Sequence, residues 1–132
     1  MLPSGTFITA KAAAADISTA VDLTWVDMNG LAVVPAATDR IVIYGMSLNN
    51  TTANANLVTV FQDNDAGNDL DAGEILEQVQ FAAAIDHRVI NYFEPVPTQK
   101  INAAGTNDLH IIASTVNAVG YIIRARIIRR TS

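Results

Sequence analysis

The densest run of reactive groups in the chain is "QDNDAGNDLDAGEILE", residues 62–77, which sets six carboxylates between Arg40 and Arg88, where no Lys or Arg occurs. Carboxylates this close repel one another unless water, a cation or a neighbour's basic groups screen them. Three chemistries are open to such a run: a hard-cation site, a catalytic carboxylate pair, or a solvated turn between strands. From Asp63 to Glu74 it spans twelve residues, the length of an EF-hand-type calcium loop. Aligned that way, oxygen ligands fall on Asp63, Asp65, the backbone of Asp69, Asp71 and Glu74, with apolar Leu70 in the place such loops reserve for it. The fit is partial, because Gly67 stands where a side-chain ligand is needed and Asn68 where the sharp turn calls for glycine. A general acid–base pair needs a cleft and two separated pKa values, and a single acidic connection offers neither. The run reads first as a solvated connection. Calcium held by Asp63, Asp65, Asp69, Asp71 and Glu74 is the alternative.

The other candidates for chemistry are few. His87 and His110 each fall within a predicted strand, where a lone histidine is mostly a surface or satisfied core residue. No nucleophile elbow, zinc-protease helix, phosphate loop or dinucleotide fingerprint occurs, and with no cysteine there is no thiolate, disulfide or Cys-type zinc site. An enzyme therefore lacks its residues. The C-terminal run "GYIIRARIIRRTS" is more informative. Period two puts Tyr121, Ile123, Ala125 and Ile127 on one face, expected in the core, and Ile122, Arg124, Arg126, Ile128 and Arg130 on the other. Arg124, Arg126 and Arg130 are then either a solvated face or a docking stripe for a partner's carboxylates. Trp25, the only tryptophan, is expected to pack in the core or at a subunit interface.

The elements that must position these groups are short β-branched runs separated by turn residues. Strands are predicted over 19–28, 40–48, 57–62, 75–81, 87–93, 108–115 and 120–130, with Asn, Gly and Pro between them. "RIVIYGMSL" is apolar on both faces, as a central sandwich strand is, and "NNTTANAN" is a polar tight connection. The only helix-like words are "AKAAAAD" and "AGEILEQV". The alanine run is too short to stand as a helix alone, so residues 1–18 are read as an N-terminal arm that orders against something else, with residues 19–132 forming the sandwich. The expected fold is all-β, a jelly-roll-like antiparallel β-sandwich in one domain, which suits 132 residues.

Composition bounds the partners. Apolar residues make up 50% and charged residues 16%, which points to surface buried against other subunits. A net charge of −5 argues against non-specific nucleic-acid binding, although four of the eight basic residues lie beyond the last acid, Asp108. No apolar run approaches the ~18 residues that span a bilayer, and the opening residues lack a signal-peptide pattern, so an aqueous, non-secretory setting is expected.

From Arg40 to Arg130 the succession "IVIYGMSLNN", "LVTVFQD", "HRVINYFEPVP", "INAAGTNDLHIIAST" and "VGYIIRARII" resembles the small jelly-roll proteins of tailed-phage virions, particularly head decoration (cement) proteins. The resemblance lies in strand order and turn composition. It implies a non-enzymatic homotrimer that glues neighbouring subunits of the major capsid protein at the capsid surface of a virion assembled in host cytoplasm. It supplies no catalytic residues, and the acidic run is not a feature of that family. The competing expectation is a calcium-dependent carbohydrate- or receptor-binding β-sandwich module.

Overall fold

The computed structural model describes residues 5–36, 39–63, 75–98, 109–115 and 118–128. They form ten strands: β1 (Thr6–Asp16), β2 (Val21–Asp22), β3 (Trp25–Val26), β4 (Ala32–Val33), β5 (Arg40–Asn50), β6 (Asn56–Gln62), β7 (Ile75–Phe81), β8 (Asp86–Pro97), β9 (Leu109–Ala113) and β10 (Ala118–Ile128). Among these residues there is no helix, and so none long and apolar enough to cross a membrane. The strands make two sheets, sheet A in the order β4-β3-β1-β10-β5-β8 and sheet B in the order β2-β9-β6-β7. Every pairing is antiparallel. With the short β3–β4 hairpin set aside, successive strands change sheet at every step except β6 to β7. That alternation is the double Greek key of a jelly roll.

The core lies between the sheets because alternate residues of each strand point inward. Ile8 and Ala10 of β1, Ile41, Ile43, Met46 and Leu48 of β5, and Ile123, Ala125 and Ile127 of β10 face Val58 and Val60 of β6, Phe81 of β7 and Ile111 of β9. Trp25 is buried in the same cluster. The period-two division of β10 appears as expected, with residues 121, 123, 125 and 127 buried and Ile122, Arg124, Arg126 and Ile128 at least partly exposed.

The alanine-rich segment read as part of an arm is strand β1, and what it orders against is this chain's own C-terminal strand. It pairs with β10 from Thr6↔Ile127 to Asp16↔Ala118, with one irregularity between Ala12 and Ala15, and offers its other edge to β3. Seven residues cannot recover the cost of helix nucleation in isolation, whereas pairing along β10, with β3 on the other edge at Thr9 and Ala10, satisfies much of this backbone. "ILEQV", the second helix-like word in part, lies within β7 for the same reason, paired along β6.

Buried polar side chains fix the corners. The Thr98 hydroxyl donates to the Ile41 carbonyl at 2.7 Å and accepts from the Ile41 N–H at 3.1 Å, tying the end of β8 to the start of β5. Asn50, at the end of β5, donates its side-chain amide to the carbonyls of Asn54 and Ala84, at 3.0 and 3.1 Å, and so ties together the β5–β6 and β7–β8 turns.

One polar contact joins the two sheets at their β7 and β8 edges. The half-buried Tyr92 hydroxyl of β8 bonds the Glu77 carboxylate of β7. Burial first, then the Glu77 charge and that hydrogen bond, hold the Tyr92 pKa well above the usual tyrosine value of 10.0. A pKa raised on folding means the neutral phenol is favoured by the fold, so its contribution is complete below the unfolded value and is lost as pH climbs toward the folded one. Unfolding in urea should accordingly show stability falling above about pH 10. Tyr92→Phe is expected to reduce that alkaline slope and to cost about 1 kcal/mol at pH 7 through the lost hydrogen bond. An alkaline slope unchanged in Tyr92→Phe would dismiss the bridge.

Candidate functional site

Two constellations of polar side chains stand out, one on the outside of each sheet. On sheet B, register places Asp22 of β2 opposite His110 of β9, and His110 opposite Phe61 of β6. Directly opposed residues in antiparallel strands share a face at close range, so the three form one row across the sheet. Their face is the one turned away from the main core, because Leu109, Ile111 and Ala113 alternate inward and Phe61 stands apart from the core cluster. Even so, Phe61 and His110 are fully buried and their rings lie 5.2 Å apart at 33°. His110 Nδ1 is 2.6 Å from Asp22 Oδ1, an ion-pair distance but out of line for a hydrogen bond, and Nε2 is 4.0 Å from Asp63 Oδ2. Asp22 leans out into solvent, whereas Asp63 is buried at the end of β6.

A buried carboxylate costs several kcal/mol unless compensated, and the His110 ring is one of the groups near Asp63. The arrangement places the histidine between two carboxylates, one on each side of the ring. It brings together residues of three strands of sheet B, with the buried imidazole stacked on Phe61.

Of the residues considered as calcium ligands, Asp63 is thus found facing His110, while Asp65, Asp69, Asp71 and Glu74 lie outside the described residues. Among the described residues no three His, Asp or Glu side chains gather as a metal site. The two histidines are on different sheets, His87 exposed on β8 and His110 buried on β9.

On sheet A the outward residues of β1, β10, β5 and β8 form an open face. Arg124 and Arg126 both lie there, and each is held by its neighbours, while Arg130 lies outside the described residues. The Arg126 guanidinium sits 5.8 Å over the Phe7 ring, and Phe7 meets Tyr44 edge-on with centroids 5.7 Å apart. Arg124 crosses β5 to donate from Nη2 to Asn91 Oδ1 on β8 at 3.0 Å. It can do so because residue 45 is glycine. A Cβ there would stand 2.6 Å from Arg124 Nη2 and 3.1 Å from the Ile90 carbonyl oxygen. Beside this stripe Ala12, Ala13 and Gly120 leave a concavity of about 440 Å³ lined also by Ser47, Asn49, Thr51, His87, Tyr121 and Ile122.

No family model matches the chain, and no curated protein matches it.

The Asp22–His110–Asp63 contact is invisible to sequence reading, because its members are far apart in the chain and none belongs to a spaced motif. The one available signal is alternation: in "LHIIA" the histidine occupies the outward position of a strand whose inward positions are all apolar. The role of Gly45 is equally hidden, since it depends on a side chain from another strand.

Two outcomes follow for variants. His110→Leu removes the buried imidazole that stacks on Phe61 and lies near Asp63, and should cost about 1–2 kcal/mol in urea unfolding. Adding Asp63→Asn should recover part of that, and additive losses would show that the two groups do not interact. Gly45→Ala displaces Arg124 and crowds the Ile90 carbonyl, for an expected loss of about 1–2 kcal/mol. In the Arg124→Ala background that loss should shrink, which a double-mutant cycle reads directly.

Proposed function

We propose that this chain is a non-enzymatic structural protein of a virion, a decoration or cement subunit that binds and stabilises a shell of major capsid protein. The observation that carries the reading is the strand order itself, a jelly-roll arrangement in which the described residues leave the outer side of sheet A uncovered. Jelly rolls build viral capsid domains and also lectins, so the fold narrows the field without choosing. The rest of the support is chemical. Only 16% of the residues are charged, yet the outward side of sheet A presents Phe7, Val89 and Ile122 at 43–49% exposure beside fixed arginines. Apolar area of this kind marks surfaces that meet other proteins. In the most distinctive polar cluster His110 and Asp63 are buried and Asp22 is exposed. In this reading the chain acts as a homotrimer on the capsid surface, assembled in host cytoplasm, and uses neither nucleic acid nor membrane.

A second reading, a calcium-dependent carbohydrate- or receptor-binding module, has one observation in its favour. The concavity beside the arginines is lined by amide, hydroxyl and imidazole groups of the kind that hydrogen-bond sugar hydroxyls.

Cryo-EM of purified source particles is expected to show this chain at symmetry-related positions on the shell, and its absence from those particles would overturn the proposal. Glycan-array binding abolished by a chelator, together with a lower melting temperature in the chelator, would move the assignment to the second reading, because a cation bound only by the folded state stabilises it by mass action.

A further inference from the structure

We infer that the outer face of sheet A docks a second copy of this chain head to tail, and not face to face. Alternation and register bring Lys11 of β1, Arg40 of β5 and Arg124 and Arg126 of β10 onto this face. Among the described residues the only acid that alternates onto it is Asp16, at the far end of β1, where it accepts from the Ser18 N–H at 3.0 Å. Among the described residues this face thus carries four cations against Asp16, a net of +3, whereas the rest carries seven acids (Asp22, Asp27, Asp39, Asp63, Glu77, Asp86 and Glu94) against Arg88, a net of −6. That is a strongly polarised molecule.

The polarity selects the mode of association. A two-fold contact would bring this face against itself and oppose arginine to arginine, and like charges forced together at an interface are repelled. Turned against the acidic remainder of another copy, where Asp22, Asp86 and Glu94 are among the exposed carboxylates, the same face meets charges of opposite sign. A heterologous contact of this kind uses two different patches on each copy, so copies can join in succession.

The face is prepared for that contact. The ring of Phe7 holds Arg126, and Asn91 with the gap at Gly45 holds Arg124, so less side-chain freedom is lost on docking. Ile122 and Val89, opposite the same Ser47 of β5, supply apolar area that excludes water between the charged groups. The inference stands on the charge distribution and holds whether or not the chain belongs to a virion.

Sedimentation velocity of the full chain tests it at ~0.05 M and ~0.5 M salt, which span weak and strong screening. The wild type is expected to self-associate at low salt and to dissociate toward monomer at high salt. Arg124→Gln with Arg126→Gln should weaken association about tenfold, and Lys11→Glu, at an exposed position, should do the same. Circular dichroism establishes that each variant is folded; if the double variant is not, Lys11→Glu decides alone. A monomer at every salt concentration, association that strengthens with salt, or folded variants that associate like the wild type would each overturn the inference.

Discussion

The register of β10 is the constraint on which the rest of the molecule depends. This strand lies in the middle of sheet A, bonded to β1 along one edge and to β5 along the other. Its residues alternate between fully apolar and arginine-bearing positions, so a slip of one residue would drive Arg124 and Arg126 into the space between the sheets and turn Ile123 and Ile127 out to water. Burying unpaired guanidinium groups is costly enough that the chain has one acceptable register. That register fixes β5 and β1, and with them the inward rows that sheet B packs against. It also lines up Phe7, Arg126, Arg124, Gly45 and Asn91 across four strands, which makes the outer face a consequence of the same alternation that builds the core.

Sheet B obeys a different balance. Its inward residues join the common core, but Phe61 and His110 on the reverse side are also buried, and Asp63 with them. In that row the imidazole lies between two carboxylates, 2.6 Å from Asp22 and 4.0 Å from Asp63, and stacks on Phe61. The buried His110 and Asp63 thus lie on the outer side of sheet B, and Arg124 and Arg126 lie on the outer side of sheet A.

Much of the fold was legible because alternation is a strong signal where a strand is long and its two faces differ. "RIVIYGMSL" and "GYIIRARII" announce β5 and β10, and the turn residues of "NNTTANAN" announce the corner that Asn50 organises. The segment around β1 was hidden because its alanines carry helix preference and no alternation, and only a partner strand from the other end of the chain makes it a strand. The acidic run is the densest in the sequence, yet its described members, Asp63 and Glu77, lie beside a histidine and a tyrosine that no spacing rule connects to them. Arg124 and Arg126 could be put on one face by counting. The contacts that hold them could not, since they come from Phe7, Gly45 and Asn91 on three other strands.

The claim that most of this account leans on is that the outer face of sheet A is covered when the protein assembles. The chain has no cysteine, so a single introduced thiol reports on its own surroundings. Ile122→Cys and Val89→Cys place one on the exposed face, and Ala83→Cys places a control at the exposed β7–β8 turn. Rates of labelling by a thiol reagent should be alike for all three in the dissociated chain. In the assembled protein the two face positions should become slow while the turn stays fast. Equal rates at the face positions in assembled and dissociated protein would contradict the account.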